Sequence, residues 1–322
     1  MKPLPFPLPA VLCPDGPGDA APGPLPPIRQ PDIVLYPLQD EWEAPAESWI
    51  EAFRRQIGAS QGPVLADCGM SVGQQRAALL ACSESPQCPP FLACLALDDE
   101  GMTPDGWEGD AALILLQSMG CAGVLFAPAD EEAAAELPRL FSALWEDARI
   151  PVGVALPHGA ARQQVAAFPR ASLLMAPRWE DSETLRAHCL ATGFYQRPVQ
   201  IAPPPEDDRF IAVSNGHSFL LETTFDIDGE LACTPDFAEE MLERENDGWS
   251  ALRLLVPDED ALAVFAAEQY MIKMPASIGT DDPVLMERAL RAFCGRAMAD
   301  GTCGLGAEVL RPLVGKYGLI VL

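Results

Sequence analysis

The stretch from Pro90 to Pro128, PFLACLALDDEGMTPDGWEGDAALILLQSMGCAGVLFAP, constrains the fold more than any other. It opens with an unbroken apolar run, Phe91 to Leu97, that reads as a strand buried on both faces. An acidic turn follows at Asp98-Asp99-Glu100-Gly101. Gly109 to Met119 then sets Ala112, Leu115, Leu116 and Met119 on one helical face, and Gly120 ends the helix. Cys121 to Ala127 is a second apolar strand. Strand, helix and parallel strand make a βαβ unit with a right-handed crossover. The same alternation recurs on both sides, so the chain reads as repetition of that unit.

Strands are expected near residues 33, 64, 92, 123, 152, 172 and 199. The helices between them include Pro45 to Ile57, Gly73 to Cys82, Asp130 to Ala148 (with a kink or restart at Pro138), Gly159 to Phe168 and Ser182 to Ala191. Phe210 to Val213 or His217 to Leu221 would supply an eighth strand. The expected fold is α/β, a (β/α)8 TIM-like barrel over residues 32–202 followed by a smaller α/β domain over residues 209–322. The first segment is short for a fold that typically takes about 250 residues, and a doubly wound open sheet is the alternative. Residues 1–31 form a Pro-rich arm without periodicity, expected to be extended and only partly ordered. The domain boundary is placed at Ala202 to Asp208, APPPEDD. Beyond it the expected strands also include Ala251 to Val256, Pro275 to Ile278, Ala297 to Ala299 and Leu319 to Leu322. The helices there are Pro235 to Asn246, Asp258 to Met271, Asp282 to Phe293 and Gly306 to Tyr317.

Charge and composition exclude some functions. With 21 basic and 47 acidic residues among 322, the net charge of -26 repels a polyanion, so no nucleic-acid partner is expected. No apolar run approaches the roughly 20 residues that span a bilayer, so no membrane role is expected. The N-terminal MKPLPFPLPAVLC is broken by proline at nearly every second position, which reads as an arm rather than an export signal. The ten cysteines contain no C-x-x-C pair, and three histidines allow no zinc-finger pattern, which suits a reducing cytoplasm.

The ordered segments carry a resemblance. The Phe91–Leu97 strand, D-D-E-G at Asp98 to Gly101, the Ala/Leu helix ending in Gly120 and A-G-V at Ala122 to Val124 resemble the centre of the homocysteine S-methyltransferase barrel. GPVLADCGMSVGQQRAALLAC (Gly62 to Cys82) is similar to the preceding strand and helix of that family. IPVGVALPHG (Ile150 to Gly159) resembles the next strand, which in the family usually ends Y-P-N-A-G. The resemblance covers roughly a third of the chain. Downstream, PASIGTDDPVLMERALRAFCGRAMADGT and PLVGKYGLIVL are similar to part of the pterin-binding barrel of cobalamin-dependent methionine synthases. Gly279 to Pro283 stands at that family's D-S-x-D-P, and Ala299-Asp300-Gly301 at its I-N-S, with Asp300 in place of Asn.

In parallel α/β folds function collects at the carboxyl ends of strands. The candidates are Asp67 and Cys68 after the second strand, Asp98 and Asp99 after the third and His158 after the fifth, with Asp281 and Asp300 in the second domain. Asp67, Cys68 and His158 are expected to bind substrate, and Asp281 and Asp300 to mark the pterin-like segment. Asp98 and Asp99 also read simply as a turn, Asp282 before Pro283 as a helix cap, and His158 as a surface or capping residue. The glycines of SNGHS (Ser214 to Ser218) and ADGTCGLG (Ala299 to Gly306) match neither a P-loop nor G-x-G-x-x-G. The resemblance implies a zinc ion on three thiolates, which lowers the pKa of a substrate thiol in its fourth position. Ala127 and Pro128 stand where the family has its first cysteine, and GFYQRPVQIA (Gly193 to Ala202) stands where it has two more. Cys68, Cys94, Cys189 and His188 are the soft ligands nearby, with Cys68 the best placed. No catalytic residue is assigned. By descent the chain would transfer a methyl group to a homocysteine-type thiol in methionine metabolism. The alternative is a non-catalytic protein that binds a small amino acid or thiol, or that partners a corrinoid protein or methyltransferase.

Overall fold

Short apolar strands separated by helices, with no room for polar residues on either strand face, must be covered on both sides. The computed structural model describes residues 10–13, 30–38, 46–157, 165–176, 178–199, 201–203 and 209–322. In chain order the first elements are β1 (Ala10–Leu12), β2 (Ile33–Leu35), α1 (Ala46–Ile57), β3 (Val64–Ala66), α2 (Val72–Glu84), β4 (Phe91–Leu97), α3 (Gly109–Ser118), β5 (Gly123–Pro128), α4 (Glu131–Asp147), β6 (Val152–Ala155), β7 (Leu173–Met175) and α5 (Trp179–Ala191). Two units emerge from their contacts, one of Met1–Gly109 with Cys121–Pro203, the other of Asp110–Gly120 with Pro204–Leu322.

The first unit carries a seven-stranded sheet in the order β1-β7-β6-β5-β4-β3-β2, parallel throughout. From β2 to β7 each strand lies beside its neighbour in sequence. A doubly wound sheet needs a point where that order reverses, and this sheet has none; its end strands β1 and β2 do not pair with each other among the described residues either, so the sheet curls without closing the expected eight-stranded barrel. The inner face gathers Ala10 and Leu12 of β1 with Leu65, Leu92, Cys94, Leu125, Ala127, Ala155 and Leu173 in one apolar cluster. The cluster runs across the face of the curled sheet from β1 through β7, β6 and β5 to β4 and β3. Gly153 of β6 sits under close approach: a Cβ there would run into the backbone carbonyl of Leu173 on β7.

Several expectations compare with the structure in detail. Within the N-terminal arm, expected to be extended and only partly ordered, Ala10–Leu12 pairs in register with Leu173–Met175 and is fully enclosed. The apolar triplet found an open parallel edge, which satisfies backbone groups that would otherwise face apolar neighbours. The strand expected at Pro198 to Ala202 does not form among its described residues, where only the 3-10 turn Phe194–Gln196 precedes irregular chain. Pro198 lacks a donor and Pro203 directly follows Ala202, which suits an irregular segment better than a ladder. Neither candidate for an eighth strand joins this sheet. The helix expected at Gly159 to Phe168 lies mostly outside the described residues, and Val165–Ala167 is a 3-10 turn. α4 continues through Pro138 without a restart.

The second unit continues with β8 (Arg209–Ser214), β9 (His217–Glu222), β10 (Gly229–Ala232), α6 (Phe237–Asn246), β11 (Leu252–Leu255), α7 (Glu259–Glu268), β12 (Ala276–Gly279), α8 (Pro283–Ala292), β13 (Gly295–Arg296), β14 (Met298–Ala299), α9 (Ala307–Tyr317) and β15 (Ile320–Val321). β10-β11-β12-β14-β15 form a second parallel sheet, again in sequence order, while β13-β8-β9 form a small antiparallel one. Asn215 and Gly216 both take positive φ, so SNGHS is a two-residue hairpin turn. Met298 and Ile320 pack with Ala212, flanked by Phe210, Phe219, Leu221 and Phe225 of the hairpin region. α3 belongs to this unit, and Asp110 on it accepts a hydrogen bond from the Ser218 hydroxyl at 2.7 Å.

Candidate functional site

Asp67 and Cys68 lie on the turn that leaves β3. The turn is held by its own backbone: Met70 N–H donates to the Asp67 carbonyl at 3.1 Å, and Asp67 N–H to the Leu35 carbonyl of β2 at 2.8 Å. One carboxylate oxygen of Asp67 accepts the Gly69 N–H at 2.8 Å. Cys68, half-buried, borders the inner cluster that contains Cys94 of β4. The Cys94 thiol hydrogen-bonds the Cys68 sulfur. That bond holds the Cys68 thiol below its ordinary pKa, against burial and the Asp67 charge, which push it up. Cys94, the donor and fully buried, is pushed well up.

Gln75 of α2 fixes this arrangement. Its side chain is fully buried. The amide donates to the Met70 carbonyl at 3.1 Å and to the Cys94 carbonyl at 2.7 Å, and its oxygen accepts the Cys94 N–H at 3.2 Å. One side chain therefore clamps the Cys68 turn and the Cys94 strand together. Sequence reasoning passed over Gln75 and named Cys94 only as a soft ligand near Cys68, not as its partner. The available signal was the alternation of β4, which puts Leu92 and Cys94 on one face, and a glutamine one turn into an apolar helix.

In the second unit Asp281 and Asp300 follow β12 and β14, adjacent strands. Asp281 accepts the Gly304 N–H at 2.6 Å. Asp300 receives the Arg253 guanidinium of β11, with Nε at 2.7 Å, and the Thr302 hydroxyl at 2.6 Å. Arg253 also bonds Glu230 of β10. Burial raises the Asp300 carboxyl, but the hydrogen bonds from Arg253 and Thr302 outweigh it and leave it below the ordinary value. Glu230, Arg253, Ser277 and Met298 are consecutive register partners, so they share one face of the sheet. The Ser277 hydroxyl there is buried and finds no hydrogen-bond partner among the described residues. Both acids thus secure the loop between β14 and α9. Arg253, a lone cation in LRLL, was the sequence signal for this network.

The other candidates fall elsewhere. His158 lies outside the described residues. Asp98 caps its own turn, accepting the N–H groups of Glu100 and Met102 at 3.0 and 2.8 Å. Asp282 caps α8, with Pro283 at its first position. Ala127 faces the inner cluster of the first sheet and presents a methyl group there. Cys189 is buried in α5 with its thiol pushed up to about 12 by burial. Among the described residues no three His, Cys, Asp or Glu side chains converge in a way that would hold a metal ion, so the residues present do not fit the zinc centre that the resemblance implies. A depression of about 440 Å³ lined by Gln30, Asp32, Ile33, Ile57 and Ser60 opens at the amino end of β2, the opposite edge from Asp67. Compared with protein-family models and with curated protein sequences, the chain matches none.

Proposed function

We propose that the first unit is a (β/α)-barrel relative of the homocysteine S-methyltransferases that binds a small amino acid or thiol without activating it. The observation that carries this reading is Ala127 on the inner face of β5, where thiol activation would need a thiolate. An unactivated thiol with a pKa of about 8.5 is only a few per cent thiolate near pH 7. Without a metal to lower that value and to orient the sulfur, methyl transfer loses both its nucleophile and its alignment. The Asp67 carboxylate, at the carboxyl end of β3, is placed to pair with a ligand ammonium, and the half-buried Cys68 borders the same edge. The sequential parallel order of β2 to β7 supports the barrel lineage.

The test has two arms. Titration calorimetry with homocysteine and methionine should detect binding, weakened about tenfold or more in Asp67→Ala through loss of a charge pair. Assays for methionine formation from S-methylmethionine, betaine, methylfolate or a methylcorrinoid protein, each with added zinc, should show no turnover. Chelator-sensitive turnover would sink the reading, and binding untouched by the substitution would move the site away from Asp67.

A further inference from the structure

We propose that Cys68 and Cys94 are a redox-active dithiol, in which Cys68 meets the oxidant and Cys94 resolves it as an intramolecular disulfide. The inference is independent of any ligand at Asp67. It stands first on placement. Cys68 sits half-buried on a turn at the sheet edge, while Cys94 is 0 % exposed on the adjacent strand, and both thiols border one apolar cluster. It stands next on rigidity. The Gln75 amide bonds both backbone groups of Cys94 and also the Met70 carbonyl that ends the Cys68 turn. The two thiols are therefore held against one apolar cluster rather than left to find one another. Disulfide formation needs that kind of fixed approach between strands.

The roles follow from access and protonation. The hydrogen bond from Cys94 favours the Cys68 thiolate, which is the reactive form. Burial pushes the Cys121 thiol up to about 11 and those of Cys189 and Cys233 up to about 12, which keeps them inert near neutrality. With hydrogen peroxide as oxidant, the Cys68 thiolate attacks one oxygen, an S–O bond forms, the O–O bond breaks, and the leaving hydroxide takes a proton to become water. The Cys94 sulfur then attacks the Cys68 sulfenic acid. The S–S bond forms, the S–O bond breaks, and hydroxide leaves with the Cys94 proton as a second water. Two thiols are oxidised by two electrons and one peroxide is reduced to two waters.

The experiment uses the full chain, treated with stoichiometric hydrogen peroxide, quenched by alkylation and mapped by peptide mass spectrometry. The expected product is a Cys68–Cys94 cross-linked peptide pair that dithiothreitol reverses. Before oxidation, iodoacetamide at neutral pH should label Cys68 ahead of Cys121, Cys189 and Cys233. In Cys94→Ala, which removes both the second sulfur and its S–H donor, the cross-link should vanish, sulfinic acid should build up at Cys68, and the pH midpoint of Cys68 alkylation should rise, slowing labelling at neutral pH about tenfold. The wild-type map decides the matter even if the variant does not fold. Peroxide consumed at other cysteines while Cys68 and Cys94 stay reduced, or Cys68 driven to sulfinic acid without a cross-link, would overturn the proposal.

Discussion

Asp300 shows how one side chain converts sequence into a condition for stability. It is the only carboxylate among the candidates with a guanidinium directly on it, and its side chain is 9 % exposed against 17 % for Arg253. Its folded pKa lies below its unfolded value of about 3.9, so it stabilises the fold above that pH. The stabilisation is lost as pH falls through the depressed value, because the unfolded state then binds the proton more readily. Asp300→Asn should therefore lower stability near pH 7 by about 2–3 kcal/mol, leaving a mostly buried guanidinium with Glu230 alone. It should also flatten the fall in stability below about pH 4. Urea unfolding of both proteins across that range checks it, and parallel pH curves would count against the ion pair's role.

At the scale of elements, β1 is the piece whose importance its surroundings conceal. Leu12 is 1 % exposed and belongs to the inner cluster, although it comes from a Pro-rich arm. Leu12→Ala should cost about 2–4 kcal/mol, as large-to-small changes in a core do. Leu220→Ala on β9, 60 % exposed, should cost less than about 0.5 kcal/mol. Chemical denaturation compares them, and equal small effects would mean that β1 adds nothing to the first sheet. The helices tell the opposite story. α4 starts where Asp130 accepts the Ala133 N–H at 2.8 Å, and α8 where Asp282 accepts the Val284 N–H at 2.7 Å. Those starts were readable because a cap spans only three residues.

For the whole molecule, the informative fact is that the second unit borrows Asp110–Gly120 from the middle of the chain that builds the first. Cleavage within residues 204–208 would leave α3 on the N-terminal fragment, although its contacts, including the Asp110–Ser218 bond, belong to the second unit. Protease-nicked protein should therefore run as one species on size exclusion under native conditions and separate only in denaturant. Two fragments eluting apart without denaturant would show that α3 does not bind the second unit in solution.

By itself the sequence determined the alternation of strands and helices, the parallel βαβ character, the helix that starts at Asp130, the turn at Asp98 and the cap at Asp282. Each follows from forces acting over a few residues: apolar periodicity, a capping carboxylate, a glycine ending a helix. The site was legible only in part, as Asp67 and Cys68 at a strand end. Tertiary structure alone decided that Cys94 and Gln75, 19 residues apart in sequence, hold the Cys68 turn. It also decided that Arg253 meets Asp300 across 47 residues, that β1 joins β7, and that β8 and β9 make their own sheet. A strand takes whichever edge is open, and the entropy of closing a loop grows only slowly with its length. Sequence distance therefore carries almost no record of which distant partner a backbone or a buried polar group will find.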